Sequence, residues 1–366
     1  MADPTWLDET PARTREVERL LALFADAGAL RMEPDILQPA NVLLDLYGED
    51  IRARAYRTDD PVLGEQMLRP DFTVPIVQRH MADAREPARY TYAGPVWRRQ
   101  PYGSHETREF WQVGYEIFDR ETPEAADAEV FALFATALQG SGAAPVIGDL
   151  ALLFAAIDAL DTHEARKIAL RRHVWRPRRF ARLLDRFAGN TRFACDDRDW
   201  PTDVASAVRN RAQLVGQRGV DEIAARIEML REEAAAPRLS VEEVGMITTL
   251  LSIRGTAAAC VNGLSALARS FPALKGPVNR LEARLDALHS HGIDGAELQF
   301  DAAFGRQSME YYDGFTFAFR GPDANATPVA IGGRYDALTR ALGGDVVPAV
   351  GGVIRPGILA TMKDGH

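Results

Sequence analysis

Residues 67–118 read MLRPDFTVPIVQRHMADAREPARYTYAGPVWRRQPYGSHETREFWQVGYEIF, and they concentrate polar groups at spacings that suit a small zwitterion. In a strand over residues 110–118, alternate side chains share a face. Gln112, Gly114 and Glu116 then lie on one side, and Trp111, Val113, Tyr115 and Ile117 on the other. The second set is apolar and should pack on helices. The first offers an amide, a gap at Gly114 through which a ligand could approach the backbone, and a carboxylate.

The preceding strand puts Val96, Arg98 and Gln100 on one face, so a guanidinium could lie near that carboxylate. Asp71 and Thr73, after Leu68-Arg69-Pro70, add an acceptor and a hydroxyl. An amino acid needs acceptors for its ammonium and donors for its carboxylate, and a basic side chain needs a third polar partner. These residue types supply all three. On spacing alone an ordinary arrangement stands equally well: Gln112 and Glu116 on a solvated sheet face, with Arg98 paired to Glu116.

The elements that must position these groups are legible in outline. Val17, Leu20, Leu21, Phe24 and Ala27 recur at helical spacing and predict a helix over 11–29, stopped at Gly28. Residues 32–46 are apolar and punctuated by Pro34 and Pro39, which suits an edge strand or a turn into a helix. Residues 51–56 alternate as a strand does. A helix is predicted over 72–81, strands over 90–98 and 108–118, and a helix over 123–139 that opens on proline and acids. From 150 to 290 the chain is rich in Ala, Leu, Arg and Glu with helical periodicity; strand patterns return from 296. The predicted class is α+β, with residues 1–148 and 295–366 forming one core and 149–294 a mostly helical insertion.

Composition narrows the function classes. The net charge of −9 over 366 residues argues against general nucleic-acid affinity. Cys195 and Cys260 lie far apart without metal-ligand spacing, which suits a reducing cytoplasm. His80, His105 and His173 are isolated, so no metal is expected, and Gly343-Gly344 reads as a turn rather than a dinucleotide fingerprint. The N-terminus carries no apolar signal core, and no apolar run reaches the ~18 residues needed to span a membrane. One local exception to the acidity is the basic segment over 166–186, read either as a docking surface or as a solvated helix face, the latter weighing somewhat more.

LRPDFT, the block AGPVWRRQP with REFWQVGYEIF, then MEYYDGFTF and GGRYDAL, in this order, resemble histidyl-tRNA synthetase and its paralogues. The resemblance spans roughly residues 15–140 and 296–360. It implies a class II aminoacyl-tRNA synthetase-like core, an antiparallel sheet flanked by helices, with the Pro34 region as the dimer-forming first motif. Carried over position by position, Asp71, Thr73 and Gln112 resemble the contacts to the amino group of histidine. Glu116 and Tyr311 resemble those to its imidazole, with Tyr312 beside them. Gly332 and Gly333, in the GGRYD turn, resemble a backbone wall of the pocket. Arg98 matches an arginine that serves ATP and the amino-acid carboxylate.

The departures concern the ATP side. Where the resemblance leads one to expect a glutamate, a transition-state arginine and an ATP-holding arginine, this chain has Gln100, Gln307 and Ile358. Arg306 lies one place from the second of these and Arg355 three from the third, with Pro356 disfavouring the usual helix start. Each loss removes charge stabilisation of a polyphosphate or its transition state, usually worth about 3 kcal/mol or more per donor. The sequence ends at His366, and an anticodon-binding domain is expected to be absent. This combination resembles the ATP phosphoribosyltransferase regulatory subunits. The resemblance implies no catalysis and no cofactor of its own, and a homodimer within a hetero-oligomer with the short-form catalytic subunit. It also implies L-histidine as effector and histidine biosynthesis as the setting. A divergent histidine-adenylating or tRNA-related paralogue is the alternative.

Overall fold

The computed structural model describes residues 6–41, 55–83, 85–100, 102–103, 107–191, 201–211, 219–306, 310–323, 326–342 and 345–364. Residues 51–54 of the expected strand, Cys195, His105, Gln307, Gly343 and Gly344 lie outside them.

Helix α1 (Trp6–Asp26) ends at Gly28, whose φ of +85° is the left-handed conformation that glycine adopts without strain. Short strands β1 (Leu30–Arg31), β2 (Leu37–Pro39), β3 (Arg57–Asp60) and β4 (Gly64–Leu68) follow. Next come α2 (Thr73–Asp83), β5 (Ala88–Trp97), β6 (Glu109–Phe118), α3 (Pro123–Ala137) and β7 (Ala144–Asp149). The helical stretch comprises α4 (Leu150–Asp158), α5 (Glu164–Arg172), α6 (Pro177–Phe187), α7 (Val204–Arg211), α8 (Val220–Ala235) and α9 (Val241–Ser252). Then follow β8 (Arg254–Thr256), α10 (Ala257–Ser270), α11 (Lys275–Ser290), β9 (Gln299–Asp301), β10 (Phe315–Arg320) and β11 (Ala330–Arg334). The chain closes with α12 (Asp336–Ala341), β12 (Ala349–Ile354) and α13 (Pro356–Asp364).

Among the described residues nine strands form one sheet in the order β1-β5-β6-β12-β11-β10-β7-β9-β8; β2, β4 and β3 form a second. The centre of the large sheet, from β5 to β7, is antiparallel, while the β1–β5 and β7–β9 joints are parallel. β2 is an edge strand of the second sheet, as its Pro39 suggests. The described residues of the expected strand, Ala55 and Tyr56, lie just before β3, where the polar run RTDD pairs with β4.

Contacts divide the chain into two compact units, Leu153–Leu250 on the one hand and Met1–Leu152 with Leu251–His366 on the other. Helices α10 and α11, inside the expected insertion 149–294, group with the sheet. The physical reason is a buried ion network. Arg284 on α11 donates through Nε to Asp127 Oδ2 at 2.7 Å and through Nη1 to Asp149 Oδ2 at 3.0 Å. Arg334 on β11 meets the other oxygen of Asp127 at 2.7 Å and Asp336 at 3.0 Å. Helical periodicity identifies α11 as a helix but carries no sign of these distant partners.

The helix-facing side of the sheet is aromatic. Phe315, Phe317 and Phe319 alternate along β10 against Phe131 of α3, with ring centroids 5.3–6.3 Å apart. Tyr115 lies 5.2 Å from Phe24 of α1, so the face carrying Val113, Tyr115 and Ile117 packs on helices as expected.

Candidate functional site

The opposite face of the sheet carries Glu116, fully buried at the level of Gly351 on β12 and Tyr90 on β5. Three hydroxyls converge on it. Tyr92 and Thr73 donate to Oε1 at 2.7 and 3.1 Å, and Tyr335 donates to Oε2 at 2.6 Å. Tyr311 extends the set by donating to Thr73 Oγ1 at 3.2 Å, and its ring stands 4.9 Å from Tyr312 and 5.9 Å from Tyr335. The carboxylate is therefore the hub of a tyrosine-lined cage rather than a solvated surface group. It is not paired with Arg98.

The LRPDFT loop delivers Asp71 and Thr73 by means of Arg69. That buried guanidinium donates to Pro34 O at 2.6 Å and Pro95 O at 3.1 Å, and lies 4.0 Å from the Phe72 ring centroid. Phe72 in turn stacks on Tyr92 at 4.4 Å. Thr73 is thus fixed at the first turn of α2, and Asp71, also buried, lies close enough to Glu116 to oppose its ionisation. Gln112, two residues before Gly114 on the same face, is buried as well. Its Oε1 meets no hydrogen-bond donor among the described residues, an acceptor left open on a face where such groups are normally satisfied.

Burial pushes the Glu116 carboxyl up to about 7, against the opposing effect of the three hydroxyls. A carboxyl raised in the folded state keeps its proton over a range where the unfolded chain has already lost it. The unfolded state then binds fewer protons, and stability falls as pH rises from about 4.5 to 7. Asp313, raised to about 7 by burial and then by Asp336, acts in the same direction. Glu116→Gln should remove the first contribution. Urea titrations across pH are expected to show the variant gaining on wild type by up to about 3 kcal/mol between pH 4 and 8, on top of a pH-independent offset from the lost acceptor. A constant difference across that range would contradict the assignment.

Glycines make room for the cage. A Cβ on Gly114 would strike the Tyr92 ring, and one on Gly351 would strike the Glu116 carboxylate. The space expected above Gly114 for a ligand is therefore filled by Tyr92, a correction that follows from the register pairing the two residues. Gly351→Ala is predicted to cost about 1–3 kcal/mol by overpacking and to displace Glu116, read by a lower urea midpoint together with weakened ligand binding. Gly332 and Gly333 lie in strand β11, not in a turn, and on opposite faces. A Cβ on Gly333 would meet Tyr312 at 3.0 Å, whereas one on Gly332 would collide with Phe317 on the helix side. Only Gly333 borders the cage.

Arg98 sits just past the end of β5, donating through Nε to Pro70 O at 2.8 Å, with its guanidinium 5.4 Å from the Phe110 ring centroid. Arg355 lies over the same ring at 4.4 Å. Two cations thus flank Phe110, two residues along the strand from Gln112. No group of three or more metal-ligating side chains occurs among the described residues.

The family model of histidyl-tRNA synthetase matches residues 6–235 and 224–356. The ATP phosphoribosyltransferase regulatory subunit of Mesorhizobium japonicum is 30% identical over 349 residues, covering 90% of this chain and 92% of its own length. That of a Chelativorans species is 31% identical over 367 residues, covering 91% and 93%. The chain belongs to the histidyl-tRNA synthetase family, among the ATP phosphoribosyltransferase regulatory subunits. Solved structures agree on the fold. A regulatory subunit/histidyl-tRNA synthetase from Bacillus halodurans superposes with a TM-score of 0.68 at 22% identity, over 100% of this chain and 82% of that one. Histidyl-tRNA synthetase from Nostoc gives 0.62 at 17% identity, over 98% and 73%. The fold is the class II synthetase-like α+β core.

Within this family frame the departures from the synthetase motifs can be located. Gln100 donates to Thr107 O at 3.3 Å and ties down its own loop. Ile358 is half-buried on α13. Pro356 opens α13 as its first residue instead of opposing it, a position where a missing N–H costs nothing. Arg306 is buried, which lowers its pKa.

Two cage residues escaped the sequence reading, Tyr92 and Tyr335. Tyr92 had a signal, since a strand pairing in register with β6 places it across from Gly114. Tyr335 follows the GGR of β11 and reaches Glu116 only because β12 lies between those two strands.

Proposed function

We propose that this chain is a non-catalytic regulatory subunit of ATP phosphoribosyltransferase that binds L-histidine in the Glu116 cage. In this role it supports the short-form catalytic subunit and relays feedback in the first step of histidine biosynthesis. The observation that supports the reading is that the residues the resemblance assigns to histidine cluster around buried Glu116 while the ATP motifs are altered. Asp71, Thr73, Gln112, Glu116 and Tyr311 come together on one sheet face. Gln100 and Ile358 stand where the resemblance leads one to expect charged residues.

The chemistry fits histidine in particular. The open Gln112 Oε1 and Asp71 can accept from an ammonium. Glu116, with Tyr311 and Tyr312 alongside, suits an imidazole N–H; Arg98 is the nearby cation for the ligand carboxylate. A buried carboxylate and hydroxyls favour a polar side chain over an apolar one of equal size, because an apolar ligand would leave them without partners.

The names of the relatives support the setting, and a cytoplasmic location is part of the same reading. No helix of the described residues is long and apolar enough to cross a membrane. A homodimer within the hetero-oligomer is part of the reading. Ile36, Leu37 and Leu63 are exposed apolar residues around a cleft of about 730 Å³ that also includes Pro34. Histidine-dependent exchange of pyrophosphate into ATP tests the non-catalytic assignment. No exchange above background is expected, and measurable exchange would favour the divergent adenylating enzyme.

A further inference from the structure

The segment 166–186 holds nine Lys and Arg residues against one acid, Asp185, in a chain of net charge −9. The structure absorbs part of this charge within the helical unit. Arg166 is buried and donates to Glu233 O and Pro237 O at 2.6 Å, satisfying carbonyls at the end of α8. Arg171 pairs with Asp158 and Glu164, and Arg186 pairs with Glu233 at 2.8 Å.

Lys167 donates to Asp158 O and Arg176 is half-buried, which leaves four arginines: Arg172 at the end of α5, and Arg178, Arg179 and Arg182 on α6. All four are exposed, and none forms an ion pair among the described residues. Arg178 and Arg179 occupy the first turn of α6, which contains no acid. Cations are unfavourable there because the helix already presents partial positive charge. The patch acts on its own surroundings as well: burial first, and then Arg179, Arg176 and Arg172, hold His173 below the usual imidazole range. A surface that sustains such repulsion is suited to an anionic partner.

The aromatic residues of the segment decide which kind. Trp175 packs on Phe154 at 5.9 Å, and Phe180 and Phe187 are buried, so no ring is presented for stacking on bases. What remains is a set of guanidinium forks, which match carboxylates in pairs. The acidity of the rest of the chain also opposes a long polyphosphate. We propose that Arg172, Arg178, Arg179 and Arg182 form a docking surface for an Asp- and Glu-rich face of a partner protein. The partner is taken to be the catalytic transferase subunit, which rests on the regulatory-subunit reading above.

The test is charge reversal of all four positions, Arg172→Glu, Arg178→Glu, Arg179→Glu and Arg182→Glu together, in the full chain. Association with the short-form transferase is followed by sedimentation velocity at low and high salt. Wild type is expected to assemble, more tightly at low salt, and the variant to bind about 100-fold or more weakly. Histidine affinity should be unchanged and thermal stability nearly so, since the acids at 178 and 179 are favoured in the first turn of α6 and offset the unfavourable one at the end of α5. Equal assembly of variant and wild type would overturn the docking surface while leaving the regulatory reading intact. Failure of wild type to assemble would overturn that reading, and this assignment with it. Retention of bulk tRNA by wild type that the variant loses, with assembly unaffected, would assign the patch to nucleic acid and also overturn the proposal.

Discussion

Replacing Glu116 by glutamine is expected to weaken L-histidine binding by about 10–150-fold, the range set by losing one charged hydrogen bond of about 1.5–3 kcal/mol. Glutamine keeps the shape of the side chain and still offers one oxygen to Tyr92, Thr73 or Tyr335, so the cage should stay closed. What is lost is the charge and the second acceptor. Glu116 accepts from all three hydroxyls at 2.6–3.1 Å and is fully buried, so no water can substitute for the missing oxygen. The measurement is titration calorimetry with histidine on both proteins near pH 8, above the raised Glu116 pKa of about 7. Undiminished affinity in a folded variant would remove histidine from this pocket.

The second large effect concerns the scaffold. Arg284→Ala should destabilise the sheet unit by about 3–5 kcal/mol, because it leaves Asp127 and Asp149 as buried charges short of a partner. The side chains of Arg284, Asp127 and Asp149 are at most 3% exposed, so solvent cannot compensate. Arg284→Met, which removes the charge but fills most of the volume, leaves Asp149 without its cation and Asp127 with Arg334 alone, and should be similarly costly. The combination of Arg284→Met with Asp149→Asn should recover part of the loss. Urea unfolding of the three variants checks this, and equal stability of wild type and Arg284→Ala would show that the network contributes little.

These two predictions fall on residues of very different legibility. Glu116 is visible in the sequence because period-2 alternation aligns it with Gln112 and Gly114, and because the surrounding motif carries a family resemblance. The LRPDFT loop is visible for the same reason. Arg284 has no such signal. It lies on α11, whose pattern of Leu281, Leu285 and Leu288 marks only an apolar face, and its partners are more than 130 residues away in the chain.

The same limit explains the tyrosines. Strand alternation says which side Tyr92 faces but not that its ring fills the gap at Gly114; that follows from register. Tyr335 depends on strand order, which single-chain periodicity does not encode. Arg98 was legible as a cation near the site, and its pairing with Glu116 was not realised because Pro70 O and Phe110 hold it at the edge. The GGRYD motif reads as a single unit in sequence but divides its work in space. Gly333 borders the cage, Arg334 belongs to the buried ion network, and Tyr335 holds Glu116. Asp336 receives the Ala349 N–H, and Asp313 caps α12 through the N–H groups of Asp336 and Ala337.

A regulatory role requires that the pocket be coupled to a partner's activity, and a typical coupling of about 1–3 kcal/mol would suffice. The most direct measurement is the rate of the short-form ATP phosphoribosyltransferase, assayed with and without this chain across a histidine titration. Activity that appears only with the chain, and falls as histidine rises, is the predicted result. A rate that is independent of the chain would contradict the account.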